Sequence, residues 1–481
     1  MSAEPQDTQV PVSIATLLAA AVPNLEVHDS EEQRLAHSQD HTEDLRFMPD
    51  AVVFPRNAEE VSAVLKWAHA QRIPVTPAGA WTGLSGGALP VRGGLSLSTK
   101  RLNHIVKIDE LNHQVVVQPG VIVQELQEAV ERKGLFYAVD PASRGTCTIG
   151  GNLAENSGGP RAVKYGVTKD WVLNLEVVLA DGTRIQTGAN TLKNSTGYNL
   201  TQLMVGSEGT LGIITQATLK LLPHPRFNAL LLVPFQSPGD ACAAVAGLFQ
   251  DGHQPSALEF MERSAIELAM SFTGDHSLSL DPSTQAHLLI EVDGFHERDL
   301  MPQLEGLAKT LDRFSAGDPM MAMDAAGKDQ LWNLRRKVGE AVKAHSTYKE
   351  EDTVVPRGHL PELLHAVKAI GSQYGFESIC YGHAGDGNLH VNILKGEMSQ
   401  EKWSGTLPKA IEDIFKNVIS LGGTLSGEHG IGWVQKPFMH LRFSQAELAL
   451  QRRIKAAFDP VHILNPDKIL PPSVEETGET T

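Results

Sequence analysis

Three glycine-rich stretches in the first half of the chain constrain its fold most: PAGAWTGLSGGALP at 77–90, PASRGTCTIGGNLAENSGGPRAVKYG at 141–166 and VGSEGTLGIITQATLKL at 205–221. The first follows an apolar segment, Ile73–Thr76, that reads as a strand, which is where a phosphate-binding loop belongs. It has neither the GxGxxG spacing of a Rossmann turn nor the GxxxxGKS/T spacing of a Walker loop. Gly79, Gly83, Gly86 and Gly87 let successive N–H groups face an anion, and Thr82 and Ser85 add hydroxyl donors. Taken alone, the loop reads equally well as an ordinary surface connection. Three such loops before residue 215 imply an extended ligand lying against exposed backbone, and a dinucleotide needs that much surface.

Around the loops the pattern is mixed α and β. Ala51–Phe54 reads as a strand, and Asn57 with Glu60 as a capping box opening a helix with Val61, Val64, Leu65 and Ala68 on one face. Val115–Gln118 is a strand, Val123–Lys133 a helix stopped by Gly134, and LNLEVVLADGTRIQTG a hairpin turning at Asp181-Gly182. The texture changes near residue 223, where helical stretches begin to alternate with short strands such as HLLIEVDGF. Ser444 and Glu447 form a second capping box before the helix QAELALQRRIKAAF. The expected organisation is a helical extension over 1–45, a first domain over 46–222, a second over 223–442, a returning segment over 443–472 and a disordered acidic tail over 473–481. A chain of 481 residues accommodates that many units.

A net charge of −16 argues against nucleic acid or an anionic membrane surface as partner. The three cysteines, Cys147, Cys242 and Cys380, contain no CxxC, so neither an iron–sulfur cluster nor a cysteine zinc site is encoded. Ile14–Val22 is shorter than the roughly 20 apolar residues of a membrane span. MSAEPQDTQV is unlike a signal peptide, and a cytoplasmic location is expected.

YGHAGDGNLHVNI at 381–393 raises a chemical question. His390-Val391-Asn392-Ile393 alternates as a half-buried strand does, so His390 and Asn392 share a face, and the Gly-Asp-Gly turn can fold His383 back toward them. Two imidazoles and an amide oxygen converging on one point suit a borderline divalent metal; a plain hydrogen-bonding role for the histidines is the alternative. DQLWNLRRKVGEAV has helical spacing with Leu331, Leu334, Val338 and Ala341 or Val342 inward, and Trp332, Arg335 and Gly339 on an adjoining stripe. Its arginines read either as solvated charge or as an anion site, with Arg336 and Lys337 assigned to solvent.

Together, the first loop, TIGGNLAENSGG and SEGTLGIIT resemble the FAD domain of the vanillyl-alcohol oxidase and p-cresol methylhydroxylase superfamily. The paired histidines, the Glu-His of SGEHGIG and the tryptophan-x-x-arginine resemble its 2-hydroxyacid branch: glycolate oxidase FAD subunits, D-lactate dehydrogenases and D-2-hydroxyglutarate dehydrogenases. The resemblance spans residues 40–470. It implies an α+β chain with a PCMH-type FAD-binding domain, an α+β cap, and a C-terminal segment returning to the FAD domain. By resemblance, Pro77, Ala78, Gly79, Ala80, Thr82, Gly83, Leu84, Ser85 and Gly86 wrap the FAD pyrophosphate. Pro141, Gly145, Thr148, Gly151, Asn152, Ser157 and Gly158 lie along the cofactor, with Glu208, Gly212 and Ile214 near it and Asn465 close to the isoalloxazine.

The same resemblance assigns His383, His390 and Glu428 to a divalent metal (zinc, with manganese or iron as alternatives). It makes His429 the catalytic base and places Arg335, Lys349 and Asn392 on a small 2-hydroxyacid. Some superfamily members attach FAD through a first-loop histidine, but here Ala80-Trp81 stands there and Cys147 is one residue out of register for a cysteine link, so non-covalent FAD is expected. Gly339 replaces the threonine of D-2-hydroxyglutarate enzymes, which favours a smaller acid such as D-lactate or glycolate. Electrons are expected to leave to an electron-transfer flavoprotein, quinone, cytochrome or iron–sulfur subunit, with a homodimer as one mode of assembly. The rival expectations are a D-2-hydroxyglutarate dehydrogenase, a non-redox FAD enzyme resembling alkyl-dihydroxyacetone-phosphate synthases, and a flavin subunit inactive alone.

Overall fold

The computed structural model describes residues 12–276 and 278–472, so the tail expected to be disordered lies outside the described residues. Strands β1 (Glu26–His28), β2 (Ala51–Phe54), β3 (Val75–Ala78) and β4 (Leu95–Ser98) form a sheet in the order β1-β2-β4-β3, with β2, β4 and β3 parallel. The N-terminal stretch expected to be helical thus also contributes an edge strand, β1, antiparallel to β2. Between β2 and β3 runs the helix Ala58–Gln71, burying Val61, Val64, Leu65 and Ala68 against Val53, Leu95 and Leu97. Asn57 caps it by accepting the Glu60 N–H at 2.8 Å. The expected box does not close, because the Glu60 carboxylate accepts the N–H of Arg56 instead.

A second, antiparallel sheet follows. Its strands are β5 (Ile105–Asp109) and β6 (Gln114–Val117), then, after the short β7 (Leu135–Phe136), β8 (Val172–Val178), β9 (Arg184–Gln186) and β10 (Ile213–Lys220), in the order β5-β6-β10-β8-β9. The helix Val123–Glu131 ends two residues before the expected Lys133. A two-stranded pair, β7 with β11 (Leu222–Pro223), closes this half of the molecule.

The remaining strands are β12 (Phe227–Phe235), β13 (Ala257–Glu262), β14 (Ala286–Gly294), β15 (Met320–Ala322), β16 (Tyr348–Val354), β17 (Glu377–Gly382) and β18 (Asn388–Leu394). They make one antiparallel sheet in the order β15-β12-β14-β13-β17-β18-β16. One face buries Phe260, Leu288, Cys380, Val391 and Ile393 beneath helices that include Leu360–Tyr374 and Gln400–Ser420. Strand alternation sends their neighbours to the opposite face, and that face holds the polar residues described below.

The C-terminal helix Gln445–Phe458 opens with the expected capping box of Ser444 and Glu447. The chain then returns to the first sheet: Val75 N–H donates to Ile463 O at 2.7 Å, and Asn465 N–H donates to Val75 O at 2.8 Å. The fold is therefore the expected α+β arrangement: two sheets in the first half, a separate seven-stranded sheet in the second, and a C-terminal segment that returns to the first sheet. No helix among the described residues is long and apolar enough to cross a membrane.

Candidate active site

β17 and β18 are joined by a single 3₁₀ turn, Ala384–Asp386. Gly387 makes the join possible: its φ is +84°, and a Cβ there would collide with the Val355 carbonyl oxygen. The hairpin brings His383 beside His390, with rings 5.4 Å apart and nearly perpendicular. On β18, His390 and Asn392 lie opposite Asp352 and Glu350 of β16, and opposite Tyr381 and Ile379 of β17. One sheet face therefore carries Glu259, Glu350, Asp352, Tyr381, His390 and Asn392.

Glu428 reaches into this group from the loop after the helix Gln400–Ser420. Its Oε1 lies 3.2 Å from His383 Nε2 and 3.7 Å from His390 Nε2. The other nitrogens face carboxylates: His383 Nδ1 is 2.8 Å from Glu259 Oε1, and His390 Nδ1 is 3.3 Å from Glu350 Oε1. Carboxylates behind both Nδ1 atoms leave both Nε2 atoms free to ligate, the arrangement that orients metal-binding imidazoles.

The ligand atoms of His383, His390 and Glu428 all lie within 4.8 Å of one another. A second set, Glu350, His390 and His429, meets the same limit. The first set is preferred because it uses the outward Nε2 of both histidines and leaves Glu350 as the carboxylate behind His390. Burial alone would lower the affinity of His383 for a proton, but Glu259 and Glu428 outweigh it and hold its pKa well above the ordinary value. Burial likewise raises Glu428, yet the three histidines bring it down to about 2. Glu428 Oε2 and Asn392 Oδ1 are buried with no hydrogen-bond partner. So much negative charge around two imidazoles, with acceptor atoms to spare, fits a divalent cation.

Asp352 fixes the loop that carries Glu428 and His429. Its Oδ2 accepts from Ser426 Oγ (2.8 Å) and from the successive N–H groups of Gly427 (2.8 Å), Glu428 (2.7 Å) and His429 (2.9 Å). Three consecutive amides around one oxygen form an anion nest. From the other half of the molecule, Glu208 accepts the N–H groups of Ile431 and Gly432 at 2.8 and 2.7 Å. Two carboxylates thus clamp one loop between the two halves. His429 stacks on His390 at 5.3 Å; burial lowers its pKa, but Asp352, Glu350 and Glu428 together raise it above the ordinary value.

Arg335, at the end of the helix Ala325–Arg336, is 6% exposed. Its Nη2 lies 2.7 Å from Glu259 Oε2, its guanidinium sits over the Tyr381 ring at 4.9 Å, and its Nε has no hydrogen-bond partner. Gly339 is close by, where a Cβ would come within 3.2 Å of the Tyr381 hydroxyl. Arg336, expected in solvent, instead stacks on Trp332 and lies 3.4 Å from Asp140 of the other half. Lys349 is not brought to the cluster. It pairs across with Ile393, on the helix-covered face, and its Nζ binds Glu43 at 3.1 Å.

The glycine loops line a cleft that ends at Glu428 and His429. Of the expected cofactor residues, Pro77, Ala78, Gly79, Ala80, Thr82, Gly83, Leu84, Pro141, Thr148, Gly151, Asn152, Ser157, Glu208, Gly212 and Ile214 line it. Gly79 comes so close to Thr148 Oγ1 that a Cβ would overlap it. The other expected residues lie off the cleft. The Ser85 carbonyl accepts from Trp433 and Val434, and Gly86 packs against Trp433. Gly158 abuts Glu428, while Gly145 is exposed. Asn465 ties two loops together, donating to Gly87 O at 2.9 Å and Glu208 O at 2.7 Å. Cys147 also lines the cleft, and burial pushes its thiol up to about 11.

A backbone-lined cleft opening onto buried histidines and carboxylates is the layout of a flavin-dependent oxidoreductase. Residues 49–188 match the FAD binding domain family, and residues 224–469 match the family of FAD linked oxidases, C-terminal domain. The chain belongs to the FAD-linked oxidase family. It is 39% identical to a glycolate oxidase subunit of Bacillus subtilis, over 92% of this chain and 93% of that protein. It is 36% identical to a D-lactate dehydrogenase of Anaerostipes hadrus (88% and 89% covered) and 34% identical to a D-2-hydroxyglutarate dehydrogenase of Stutzerimonas stutzeri (90% and 94%). The crystal structure of p-cresol methylhydroxylase with substrate bound shares the fold, with a TM-score of 0.77 at 16% identity over 94% of this chain and 95% of that one.

Glu259, Glu350 and Asp352 were not singled out in the sequence. For Glu350 and Asp352 the available signal is alternation within YKEEDTV, which does not say which parity faces the histidines; Glu259 lies on a separate strand, ALEFME, far away in sequence.

Proposed function

We propose that the protein oxidises a small D-2-hydroxyacid, of the size of D-lactate or glycolate, to the 2-oxoacid. The observation that carries this reading is the convergence of His383 Nε2, His390 Nε2 and Glu428 Oε1 beside His429, at the end of the FAD cleft. His383, His390 and Glu428 hold a divalent cation, zinc by donor type with manganese or iron as alternatives. When bound, that cation makes the substrate hydroxyl more acidic. FAD, for which the cleft lined by Gly79, Thr148 and Gly151 has room, would supply the acceptor for the C2 hydride.

The chain's own groups do the rest. Arg335 receives the substrate carboxylate with the N–H edge of a buried guanidinium whose face lies over Tyr381. Asn392 offers its unpartnered Oδ1 to the cation or the hydroxyl. His429 takes the hydroxyl proton, and the Asp352 nest holds it in place to do so. Lys349 is left out of this set. Lys349 lies on the other sheet face and Gly339 stands in place of a hydroxyl donor, which favours a monocarboxylate over 2-hydroxyglutarate.

FAD is held without a covalent link, since the first loop offers Ala80-Trp81 and the Cys147 thiol is kept protonated by burial. Acid precipitation should release all of the yellow colour, and colour retained in the pellet would refute this. Electrons then pass to an external acceptor. An anaerobic screen of glycolate and of both enantiomers of lactate and of 2-hydroxyglutarate, following flavin absorbance, tests the whole reading. Bleaching by D-lactate or glycolate is expected. No bleaching by any hydroxyacid would favour a non-redox enzyme, and bleaching by D-2-hydroxyglutarate alone would overturn the substrate assignment.

A further inference from the structure

Glu259 is fully buried on β13, and every contact recorded for its carboxylate goes to two side chains. Oε1 lies 2.8 Å from His383 Nδ1, and Oε2 lies 3.0 Å from the same nitrogen and 2.7 Å from Arg335 Nη2. Among the described residues it accepts no backbone N–H and no hydroxyl, unlike Asp352 or Glu208. A carboxylate with only a framework role would be tied to the backbone; this one stands between a proposed cation ligand and a proposed anion-binding arginine.

The reading above puts two positive groups among the same buried side chains: the Arg335 guanidinium and a divalent cation on His383. Like charges at short range inside a protein repel strongly unless a counter-charge lies between them. We propose that Glu259 is a positioning residue that supplies this counter-charge, allowing Arg335 and the metal to occupy the site together while fixing His383 for ligation. The inference rests on the metal and arginine assignments above and adds a role that neither contains.

The roles of charge and of ring orientation separate by rescue. Glu259→Gln should retain FAD but bind zinc or manganese about 10–100-fold more weakly in chelator competition, without any substrate present. Glu259→Gln with Arg335→Met restores the charge balance and should recover about 3–30-fold of that loss, the range of coupling between residues in contact. Arg335→Met alone leaves Glu259 unopposed, so it should bind the metal more tightly than the wild type. This single variant keeps the test valid even if Glu259→Gln does not fold. Unchanged affinity in Glu259→Gln, no recovery in the double variant, or equal or weaker binding in Arg335→Met would each overturn the proposal. If the wild type itself binds no divalent cation, it is the metal reading that fails, and the two failures are distinguishable.

Discussion

The flavin cleft and the chamber beside it are made of opposite materials. Around the cleft, Gly79, Gly83, Gly151 and Gly212 bring backbone to the surface. In the chamber, side chains take that place: Glu259, Glu350, Asp352, His383, His390 and Glu428 are all largely buried, and each faces another member of the set. A wall of glycine backbone suits a long cofactor, because N–H groups can approach it without side chains intervening. A charged chamber instead binds little but discriminates strongly, because each buried charge must be matched. The two regions meet at the loop 426–432, clamped by Asp352 from one half and Glu208 from the other.

Single substitutions should therefore disable one region and spare the other. His383→Ala is expected to abolish metal binding, with FAD content unchanged; Gly79→Val, pressing on Thr148, is expected to do the reverse. Metal analysis and flavin absorbance on the same samples check both, and loss of both ligands in either variant would mean the regions are not separable. Next in size, His429→Asn should keep metal and FAD but slow anaerobic flavin reduction by about 10²–10⁴-fold. A change of less than tenfold would assign the proton to another group.

Arg335→Lys keeps the charge and loses the planar fork. KM should rise by an amount corresponding to about 1.5–3 kcal/mol, and an unchanged KM would remove Arg335 from the carboxylate site. The smallest effect is expected at Lys349→Met, where steady-state kinetics should show KM unaltered. A raised KM would show that Lys349 reaches the substrate despite its pairing with Glu43.

Lys349 and Glu350 also show what the sequence could and could not reveal. The glycine loops and the paired histidines were legible because their chemistry is local: a turn, a strand parity and a glycine lie within a dozen residues. The carboxylates were not. Glu259 meets His383 across 124 positions of sequence. In Tyr348-Lys349-Glu350-Glu351-Asp352, charge occupies successive positions, so apolar alternation gives no parity. Only the register with β18 turns Glu350 and Asp352 to the chamber and Lys349 to the opposite, helix-covered face. Arg336 escaped for a similar reason, since its partner Asp140 lies in the other half. At Asn57 the first half of the capping box was legible, while the choice of Arg56 N–H by Glu60 depends on backbone geometry.

The most direct test of a metal-dependent chamber fed by the flavin cleft is made on the wild-type protein. Its metal content and its rate of anaerobic flavin reduction by D-lactate should be measured before chelation, after exhaustive chelation, and after one equivalent of zinc or manganese is returned. The expected result is that rate and metal fall together, FAD stays bound, and both return on addition of the metal. Flavin reduction at full rate in the metal-free protein would contradict the role assigned to His383, His390 and Glu428.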